Sequence, residues 1–309
     1  MYGRSSSADA LSTPHTRRQR IRAAAHVAAK RDGLAAPVSV FHAAQSVAGA
    51  TSHSTLASLD QQGSARIRLP NWSGSALQAV LINTAGGLTG DDRIQWSGTA
   101  HAGSRLCIST AACEKLYRTH GPPARQDTRL RIESGARLDW LPQETIVFDG
   151  ASLQRNLHAE LDADATALFV ESIVLGRQAM RESITRLSLH DRWRIVRDGS
   201  LLHAEELRLD FRQSHDARRQ SRLHHYSALS TVVLVSPQPS EYLRLQASRL
   251  QNLISDSADD GKLCAAASVM DHRLIVRVLA SNSRMLRNFL IPCIELLNDD
   301  VAIPQVWKV

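Results

Sequence analysis

Seven carboxylates in the first two thirds of the chain are the first candidates for chemistry. They are spread through short apolar runs: Asp92, Glu114, Asp139, Glu144, Asp149, Glu171 and Glu182. Two carboxylates held about 5–10 Å apart in a cleft can hydrolyse a glycosidic bond. Sugar clefts are commonly lined by aromatic rings, but the chain has only five tryptophans, and they are scattered. A glycosidase-like site is therefore disfavoured, and the same acidic groups become candidates for metal contact.

Nucleophilic sites and tight metal sites have no assembled motif in this sequence. The GxSxG pentapeptide that forms a strained serine elbow is absent. His224 and His225 are adjacent, so on a strand they would point to opposite faces, and neither HExxH nor HxH occurs. A weak site made of carboxylate oxygens needs no characteristic spacing and stays open.

The segment Ala85–Asp92 reads AGGLTGDD and shares only its glycines with a phosphate-binding loop. A P-loop continues with Lys-Ser/Thr and a helix, so that backbone amides and a positive charge meet the phosphate. Here two aspartates and a strand-like run follow, and their negative charge disfavours phosphate. We expect Gly86, Gly87 and Gly90 to permit tight turns and close backbone approach.

A cation–aromatic cluster occurs at Lys115-Leu116-Tyr117-Arg118, ahead of Pro122-Pro123. One interpretation is an exposed strand end whose cations are solvated. The other is an interface patch, because Tyr and Arg are enriched at binding hot spots. The sequence leaves both open.

Two glutamates lie in apolar surroundings. Glu171, in the run FVESIVLGR, is either paired internally, with Arg177 and Arg192 as candidate partners, or faces a channel or a binding partner. Glu144 follows Pro142 and Gln143 in WLPQETIVFDGA. Because proline favours an extended chain before it and supplies no backbone donor, this segment suits the start of a strand, with Glu144 at the surface or along a passage.

The elements that must position these residues are short strands. Apolar runs of strand length recur at spacings of about eight to twelve residues, with turn residues between them, which favours an all-β stack over βαβ units. Asp149-Gly150 and Asp198-Gly199 each predict a two-residue hairpin, because a type I′ turn needs φ > 0 at both central positions. Two late helices are predicted, one beginning near Ser240 and one capped by Asn282 or Ser283.

The composition divides the chain into three parts. Residues 1–54 are rich in Ala, Ser, Arg and His and lack a sustained pattern, so they are predicted to be a disordered tail. Residues 55–235 form the predicted β body, and residues 236–309 a smaller α+β part with about two helices. The fold class is therefore mainly β, with stacked sheets.

Charge and cysteine content limit the partners and the compartment. The net charge is +7, but residues 1–33 contain seven basic and two acidic residues and so supply five of those charges. The body is nearly neutral and aromatic content is only 5%, so nucleic-acid binding is disfavoured. Four cysteines without a CxxC motif indicate a reduced, cytoplasmic protein. The apolar runs are too short to span a membrane.

Five blocks, taken in order, carry a family resemblance. They are LINTAGGLTGDDRI, AACEKLYR, WLPQETIVFDGA, ESIVLGRQAM and DRWRIVRDGSLLHAEELRLD, and the later VRVLASNSRMLR and VW fit the same pattern. In order and spacing, from about Thr55 to Val309, the chain resembles the UreD (also called UreH) family of urease accessory proteins. The resemblance implies sheets stacked in a helicoidal, β-solenoid-like body, with helices near the C-terminus.

The family's motif residues are carried over position by position. The matching positions are Gly86, Gly87, Gly90, Asp92, Lys115, Tyr117, Arg118, Pro142, Gln143, Glu144, Glu171, Gly176, Arg177 and Met180. Apart from Glu144 and Glu171, we take them as candidates for a docking surface. Asp91 stands where the family commonly has a second glycine. If that glycine serves a positive φ, aspartate is one of the few residues able to replace it.

The resemblance implies a role without catalysis. Proteins of this family join the accessory proteins UreF and UreG, a GTPase, in a complex that docks on urease apoprotein and helps deliver nickel; an internal passage for the metal has been proposed for them. We expect no permanently bound cofactor and only transient Ni²⁺ contact. We hypothesise that Asp92, Glu144 and Glu171 interact weakly with the ion or organise the urease-facing surface. The alternatives are a carbohydrate-active β-solenoid enzyme and a UreD paralogue with a non-urease partner.

Overall fold

Strands dominate this fold, as seen in a computed structural model of the chain. The structure describes residues 20–32, 53–71, 74–177, 180, 182–211, 223, 225–257, 261–298 and 303–308. Within these ranges there are 17 strands and two α-helices, and both helices lie in the C-terminal part. The predicted fold class, mainly β with a smaller helical part at the end, is confirmed.

The elements have the following bounds. The strands of the described residues are β1 (Arg22–Arg31), β2 (Ser54–Gln62), β3 (Ala65–Arg68), β4 (Leu77–Asn83), β5 (Arg93–Ala100), β6 (Arg105–Thr110), β7 (Glu114–Leu116), β8 (Ala124–Ile132), β9 (Arg137–Leu141), β10 (Thr145–Val147), β11 (Ala151–Leu161), β12 (Thr166–Leu175), β13 (Leu187–Arg197), β14 (Ser200–Phe211), β15 (Ala228–Val235), β16 (Leu263–Met270) and β17 (Arg273–Ala280). The helices are α1 (Ser240–Ser257) and α2 (Ser283–Leu297), and a 3₁₀ turn spans Gln305–Trp307.

Successive coils of the chain form the β-solenoid-like body, each giving one strand to each of two sheets. β4, β6, β9 and β12 run in parallel in one sheet, and β5, β8, β11 and β13 run in parallel in the other. Leu106 pairs with Leu138, and Arg93 pairs with Arg125, so equivalent positions of neighbouring coils stack. Because side chains alternate along a strand, every second residue points between the sheets and the two apolar faces share one core.

A short third side completes the coils. β10 pairs in parallel with β7 on one side and with β12 on the other. The register places Lys115, Ile146 and Val174 side by side on the outer face of this strip, which we call the third-side strip. Glu114 and Thr145 form the next row, and strand alternation turns that row into the body. In the outer row Lys115 is exposed, Ile146 is partly buried and Val174 is covered by neighbouring residues, and the other row faces the interior.

Antiparallel strands extend both sheets beyond the coils. β13 and β14 are joined by Asp198 and Gly199, whose φ angles are +48° and +72°. The hairpin predicted there is confirmed. In the other sheet β15 and β17 continue from β12, and β16 forms the outer strand.

The two helices cover the sheet that contains β15 and β17. Leu243 and Leu250 of α1, together with Phe289 and Leu290 of α2, are fully buried in this second core. The Asn282 side chain accepts a hydrogen bond from the Met285 backbone N–H at 2.8 Å, which caps α2 as predicted. No helix among the described residues is long and apolar enough to cross a bilayer.

The tail prediction is wrong for Arg22–Arg31. This segment is β1, which pairs in antiparallel fashion with β2 and in parallel with β5. Ala25, Val27 and Ala29 are buried in the common core, so alternate residues of this alanine-rich strand face the interior. Residues 1–19 and 33–52 of the predicted tail lie outside the described residues.

The hairpin predicted at Asp149-Gly150 is also wrong. β10 and β11, on either side of it, lie in different sheets and pair with other strands. Gly150 has φ +77°, whereas Asp149 does not have a positive φ. The turn residues mark a change of chain direction, but that change is a corner between two sides of a coil and not a hairpin.

Candidate docking face and buried acidic groups

Gly87 allows the glycine loop Ala85–Asp92 to pack against the third-side strip. Its φ is +145°, and a Cβ there would lie 2.7 Å from the Lys115 carbonyl oxygen and would overlap the Tyr117 ring. The Leu88 N–H donates to the Lys115 carbonyl oxygen at 2.7 Å, and the Tyr117 N–H donates to the Leu88 carbonyl oxygen at 2.8 Å. A side chain at position 87 would push these two backbones apart.

The acidic end of the glycine loop is structural. Asp91 has φ +66°, so it adopts the left-handed conformation that glycine favours and that aspartate tolerates at modest cost. The Asp92 carboxylate is buried and accepts hydrogen bonds from the Ile21 N–H at 2.9 Å and the Thr89 N–H at 2.8 Å. Asp92 thus closes the loop and joins it to the residue before β1.

An aromatic and arginine cluster stands at the end of the third-side strip, with Tyr117 exposed and Phe148 largely buried. The Tyr117 and Phe148 rings are edge to face with centroids 5.1 Å apart, and the Arg177 guanidinium lies 4.6 Å from the Phe148 centroid. Met180, in the turn after Arg177, is 72% exposed, and Tyr117 is 41% exposed. We call the exposed residues Tyr117, Arg118, Arg177 and Met180 the docking face, and Phe148 supports it from below by contacting Tyr117 and Arg177.

Asp149 fixes one loop of the docking face. Its Oδ1 accepts from the Thr185 N–H at 2.7 Å and the Arg186 N–H at 2.9 Å, and its Oδ2 accepts from Arg118 Nη2 at 2.6 Å. Partial burial favours the protonated acid. The hydrogen bonds from Arg186 and Thr185 and the Arg118 charge outweigh it together, so the pKa of Asp149 lies below its ordinary value.

Glu182 fixes the second loop in the same way. It accepts from the Arg177 N–H at 3.1 Å, from Arg177 Nε at 2.9 Å and from the Asp149 N–H at 3.2 Å. Burial opposes its ionisation, but these donors lower the pKa of Glu182 below its ordinary value. Gly176 allows the turn, because its φ is +77° and a Cβ would lie 2.9 Å from the Glu182 carbonyl oxygen.

Glu171 belongs to a buried ion cluster between the two sheets. Arg155 Nη1 donates to Glu171 Oε2 at 2.5 Å, and Arg155 Nη2 donates to Asp191 Oδ2 at 2.6 Å. The Trp140 Nε1–H donates to Glu171 Oε1 at 2.9 Å. One guanidinium therefore serves two carboxylates. Burial, with the nearby Asp191 charge, raises the pKa of Glu171, although Arg155 and Trp140 partly offset this.

Sequence reasoning misses Arg155, and the candidate partners Arg177 and Arg192 for Glu171 are wrong. The missed signal is positional. In ASLQRNLHAEL the inward positions are apolar except for Arg155, and in LSLHDRWRIVR the inward row contains Asp191. The two are direct partners in the β11–β13 ladder. A charge interrupting an inward apolar row on each of two neighbouring strands predicts an internal ion pair.

A cavity of about 160 Å³ borders this cluster and the inner side of the third-side strip. Five of the predicted site residues line this cavity: Gly86, Lys115, Pro142, Gln143 and Glu171. It gathers motifs that are more than 80 residues apart in the sequence.

Glu114, which is not among the motif residues, also lines this cavity. Its carboxylate accepts from Asn83 Nδ2 at 3.2 Å and from the Lys115 N–H at 3.1 Å. Burial raises the pKa of Glu114 to about 7, although these donors partly offset it. Near neutral pH this side chain is divided between its two protonation states.

Gln143 and Glu144 bind the end of the described chain to the body. Gln143 Nε2 donates to the Val306 carbonyl oxygen at 3.1 Å, and Arg287 Nη1 donates to Gln143 Oε1 at 3.2 Å and to Glu144 Oε2 at 3.4 Å. Arg287 Nη2 also donates to the Trp307 carbonyl oxygen at 3.0 Å. Glu144 is 2% exposed, so it does not lie at the surface. We call Gln143, Glu144, Arg287, Val306 and Trp307 the C-terminal clasp.

The three predicted metal-interacting carboxylates lie in separate places. Asp92 lines an open pocket beside the glycine loop, Glu144 lines a groove next to α2, and Glu171 lines the 160 Å³ cavity. Cys113 borders both the groove and the cavity. Across the described part of the chain, no group of three or more His, Cys, Asp or Glu side chains is arranged to hold a metal ion.

The structure thus separates the exposed predicted site residues from the buried ones, and the glycine loop with Asp92 lies beside the docking face. Tyr117, Arg118, Arg177 and Met180 come together on the docking face, where Asp149 and Glu182 hold the loops. Pro142, Gln143 and the buried glutamates lie in the interior or in the C-terminal clasp. This arrangement suits an exposed binding surface on a rigid support.

The comparisons with known proteins agree with the five blocks. The family model described as UreD urease accessory protein matches residues 41–308. The urease accessory protein UreD of Chelativorans sp. (strain BNC1) is 45% identical over 251 residues, covering 81% of this chain and 87% of the relative. That of Rhizobium leguminosarum bv. viciae is 42% identical over 250 residues (81% and 88%), and UreD 1 of Brucella abortus biovar 1 (strain 9-941) is 38% identical over 256 residues (83% and 89%). The chain belongs to the UreD family of urease accessory proteins.

Proposed function

We propose that this protein is a non-enzymatic urease maturation factor. It docks a complex of UreF and the GTPase UreG onto urease apoprotein and assists the entry of nickel into the urease active site. The observation that carries the proposal is the docking face, where Tyr117, two arginines and Met180, which are distant in sequence, meet at the surface. Tyr and Arg are the residue types that most often contribute large binding energies at protein interfaces.

The rigidity of this face supports a docking role. Asp149 and Glu182 fix its loops through backbone donors on both sides, and Gly87 brings the glycine loop against Tyr117. A surface that is ordered before binding loses less conformational entropy when the complex forms. The proposal places the assembly in the cytoplasm, in keeping with four free cysteines.

The alternative, a carbohydrate-active enzyme, has less support. The 160 Å³ cavity that contains Glu114 and Glu171 is smaller than the roughly 300–1,000 Å³ typical of small-molecule sites. Glu171 is held by Arg155 and Trp140. We therefore favour the accessory role without turnover.

Co-expression tests the docking proposal directly. The full chain is produced with UreF, UreG and urease apoprotein, and complex formation and nickel-dependent ureolysis are measured with and without it. We expect Tyr117→Ala to weaken complex formation about tenfold or more. Leu201→Ala, which trims an exposed apolar side chain on β14, is the matched control. Unchanged ureolysis when the chain is left out would overturn the proposal.

We expect the proposed contact with nickel to be weak, because two of the three carboxylates are already paired with arginines. Glu144 and Glu171 already accept hydrogen bonds from Arg287 and Arg155, and a nearby positive charge lowers the affinity of a carboxylate for Ni²⁺. A carrier that releases its ion needs such low affinity. Asp92 is held by backbone donors.

Alanine substitution of Glu144 and of Glu171, made separately, tests this part. We expect lower nickel-dependent urease activation with an unchanged far-UV circular dichroism spectrum. Glutamine at the same positions separates charge from hydrogen bonding, and Glu160→Gln on the exposed face of β11 is the control. Full activation by all four variants would remove the nickel role and leave docking intact.

A further inference from the structure

A groove runs between the third-side strip and the start of α2. It consists of two adjoining cavities of about 230 and 540 Å³ that share Ile146, Val174, Ser283 and Arg284. The groove shares Arg177 with the docking face and Cys113 with the 160 Å³ cavity, but its other residues belong to neither. We call its main residues the basic groove: Ile146, Val174, Arg177, Arg284 and Arg287.

The floor of the basic groove is aliphatic. Ile146 and Val174 are neighbours in the β10–β12 ladder, and Lys115 is the next residue in the same row. Val174 is only 4% exposed and belongs to the second core, whereas Ile146 packs against that core and keeps part of its surface exposed. The apolar surface that the floor offers to a ligand therefore comes mainly from Ile146.

The rim of the basic groove carries an excess of positive charge. Its two cavities are lined by Arg177, Arg284 and Arg287, and Glu144 is the one acidic residue that lines them within the described chain. Glu144 is buried beneath Arg287 and presents little charge to the groove. Arg177 is paired with Glu182, outside the lining. The exposed Arg284 has no ion pair among the described residues, so its charge is available to a ligand.

We propose that the basic groove binds an extended, acidic segment of a partner protein, with an aliphatic side chain against Ile146 and carboxylates against Arg284 and its neighbours. Charge complementarity selects an acidic segment, because a rim with excess positive charge attracts anions and repels basic chains. The aliphatic floor selects a peptide over a single-stranded nucleic acid, which binds mainly through stacking on aromatic rings. The inference rests on the proposed function, because it supplies a second contact within the same assembly.

Fluorescence anisotropy with the full chain tests the groove directly. The probe is a short fluorescein-labelled peptide in which glutamate alternates with leucine, and the comparison peptide has glutamine in place of glutamate. We expect the acidic peptide to bind about tenfold more tightly than the glutamine peptide at low salt, with the difference falling as salt increases.

Charge reversal at two exposed arginines locates the binding. Arg284→Glu is expected to weaken acidic-peptide binding about tenfold. Arg129→Glu, on the outer face of β8, makes the same change in net charge at an exposed arginine that likewise has no ion pair within the described part of the chain, and it is expected to leave binding unchanged. Equal loss in both variants would mean general attraction to a cationic protein and would overturn the proposal. Failure of the acidic peptide to bind would overturn it as well.

Two further outcomes would assign the groove to another occupant. Tighter binding of a labelled oligothymidylate than of the acidic peptide, lost in Arg284→Glu, would indicate nucleic acid. Self-association in sedimentation velocity that Arg284→Glu abolishes would indicate a second copy of this chain. Each of these results contradicts the acidic-peptide proposal.

Urease activation separates this inference from the proposed function. If wild type activates urease but the peptide experiments fail, the basic groove is not a peptide site and the docking role stands. If peptide binding behaves as expected but wild type does not activate urease, the accessory function fails and the groove remains.

Discussion

The Arg287 guanidinium lies 5.3 Å from the centre of the Trp307 ring and donates to the Trp307 carbonyl oxygen at 3.0 Å. The Trp307 indole N–H in turn donates to the Leu141 carbonyl oxygen at 3.0 Å. Helix α2, the 3₁₀ turn and the middle coil of the solenoid therefore meet at one arginine. Because Gln143 and Glu144 share that arginine, the C-terminal clasp couples a family motif to the packing of the last elements.

Arg287→Ala is expected to destabilise the protein by about 2–3 kcal/mol, because buried carbonyl and carboxylate oxygens lose a charged donor. Arg287→Lys keeps the charge but not the forked geometry of the guanidinium, so its stability should lie between those of wild type and Arg287→Ala. Urea unfolding followed by tryptophan fluorescence measures the change. Arg244→Ala, on the exposed side of α1, is the control and should stay within about 0.5 kcal/mol of wild type. Equal stability of the two alanine variants would contradict the clasp.

Arg155→Met is expected to cost about 3–5 kcal/mol, because it leaves the Glu171 and Asp191 carboxylates buried without their shared cation. The double variant Arg155→Met/Asp191→Leu removes one of these charges and should recover part of the loss. Thermal and urea unfolding give the values. Arg129→Met, at an exposed position of β8, serves as the comparison. A cost below about 1 kcal/mol at position 155 would mean that the ion cluster does not hold the sheets together.

Glu114→Gln should stabilise the protein at pH 8 and leave it unchanged at pH 4. Burial raises the folded-state pKa of Glu114 from 4.5 to about 7. The unfolded chain therefore releases this proton first as pH rises, and the contribution of Glu114 to stability is full below pH 4.5 and is lost by about pH 7. This rise in pKa corresponds to at most about 3 kcal/mol, so we expect Glu114→Gln to raise the free energy of unfolding by about 1–3 kcal/mol at pH 8.

Urea unfolding at pH 4, 6 and 8 checks the Glu114 prediction, with Glu160→Gln at an exposed position as the reference. The gain should develop between pH 4.5 and 7. A gain that is the same at all three pH values would point to packing at position 114 and would contradict the protonation argument.

Gly87→Ala and Gly86→Ala form a matched pair in the glycine loop. Gly86 has φ +77°, and nothing lies within 4 Å of the position that an alanine methyl group would take. Alanine there should lower the free energy of unfolding only by the cost of a left-handed backbone, about 1–2 kcal/mol. Gly87→Ala adds overlap with Tyr117 and the Lys115 carbonyl oxygen, and overpacking of this kind costs about 1–3 kcal/mol more. Thermal unfolding gives the ranking. Only Gly87→Ala should also weaken complex formation with the urease proteins, and the reverse order would refute the loop contact.

The sequence predicts the stranded body, the Asp198-Gly199 hairpin and a helix cap at Asn282 or Ser283, because these depend on local pattern. It does not predict that Asp149-Gly150 is a corner, since the same turn residues serve a hairpin and a coil corner. It does not predict the strand at Arg22–Arg31 either, because alanine has low strand propensity. This segment is a strand because it pairs with β2 and β5, and those contacts are not visible in the local sequence. The sequence does not predict the role of Arg155, because its ion pair with Asp191 depends on the register between β11 and β13.

The insertion of β1 between β5 and β2 has a consequence for how much of the chain is needed for solubility. β1 covers one whole flank of β5, eight residues long, and is the only neighbour of β2 among the described strands of that sheet. A shortened polypeptide beginning near Thr55, where the family motifs start, would leave that flank bare, and a bare strand recruits strands from other molecules. By covering the β5 edge, the alanine-rich strand β1 keeps that edge from pairing with strands of other molecules.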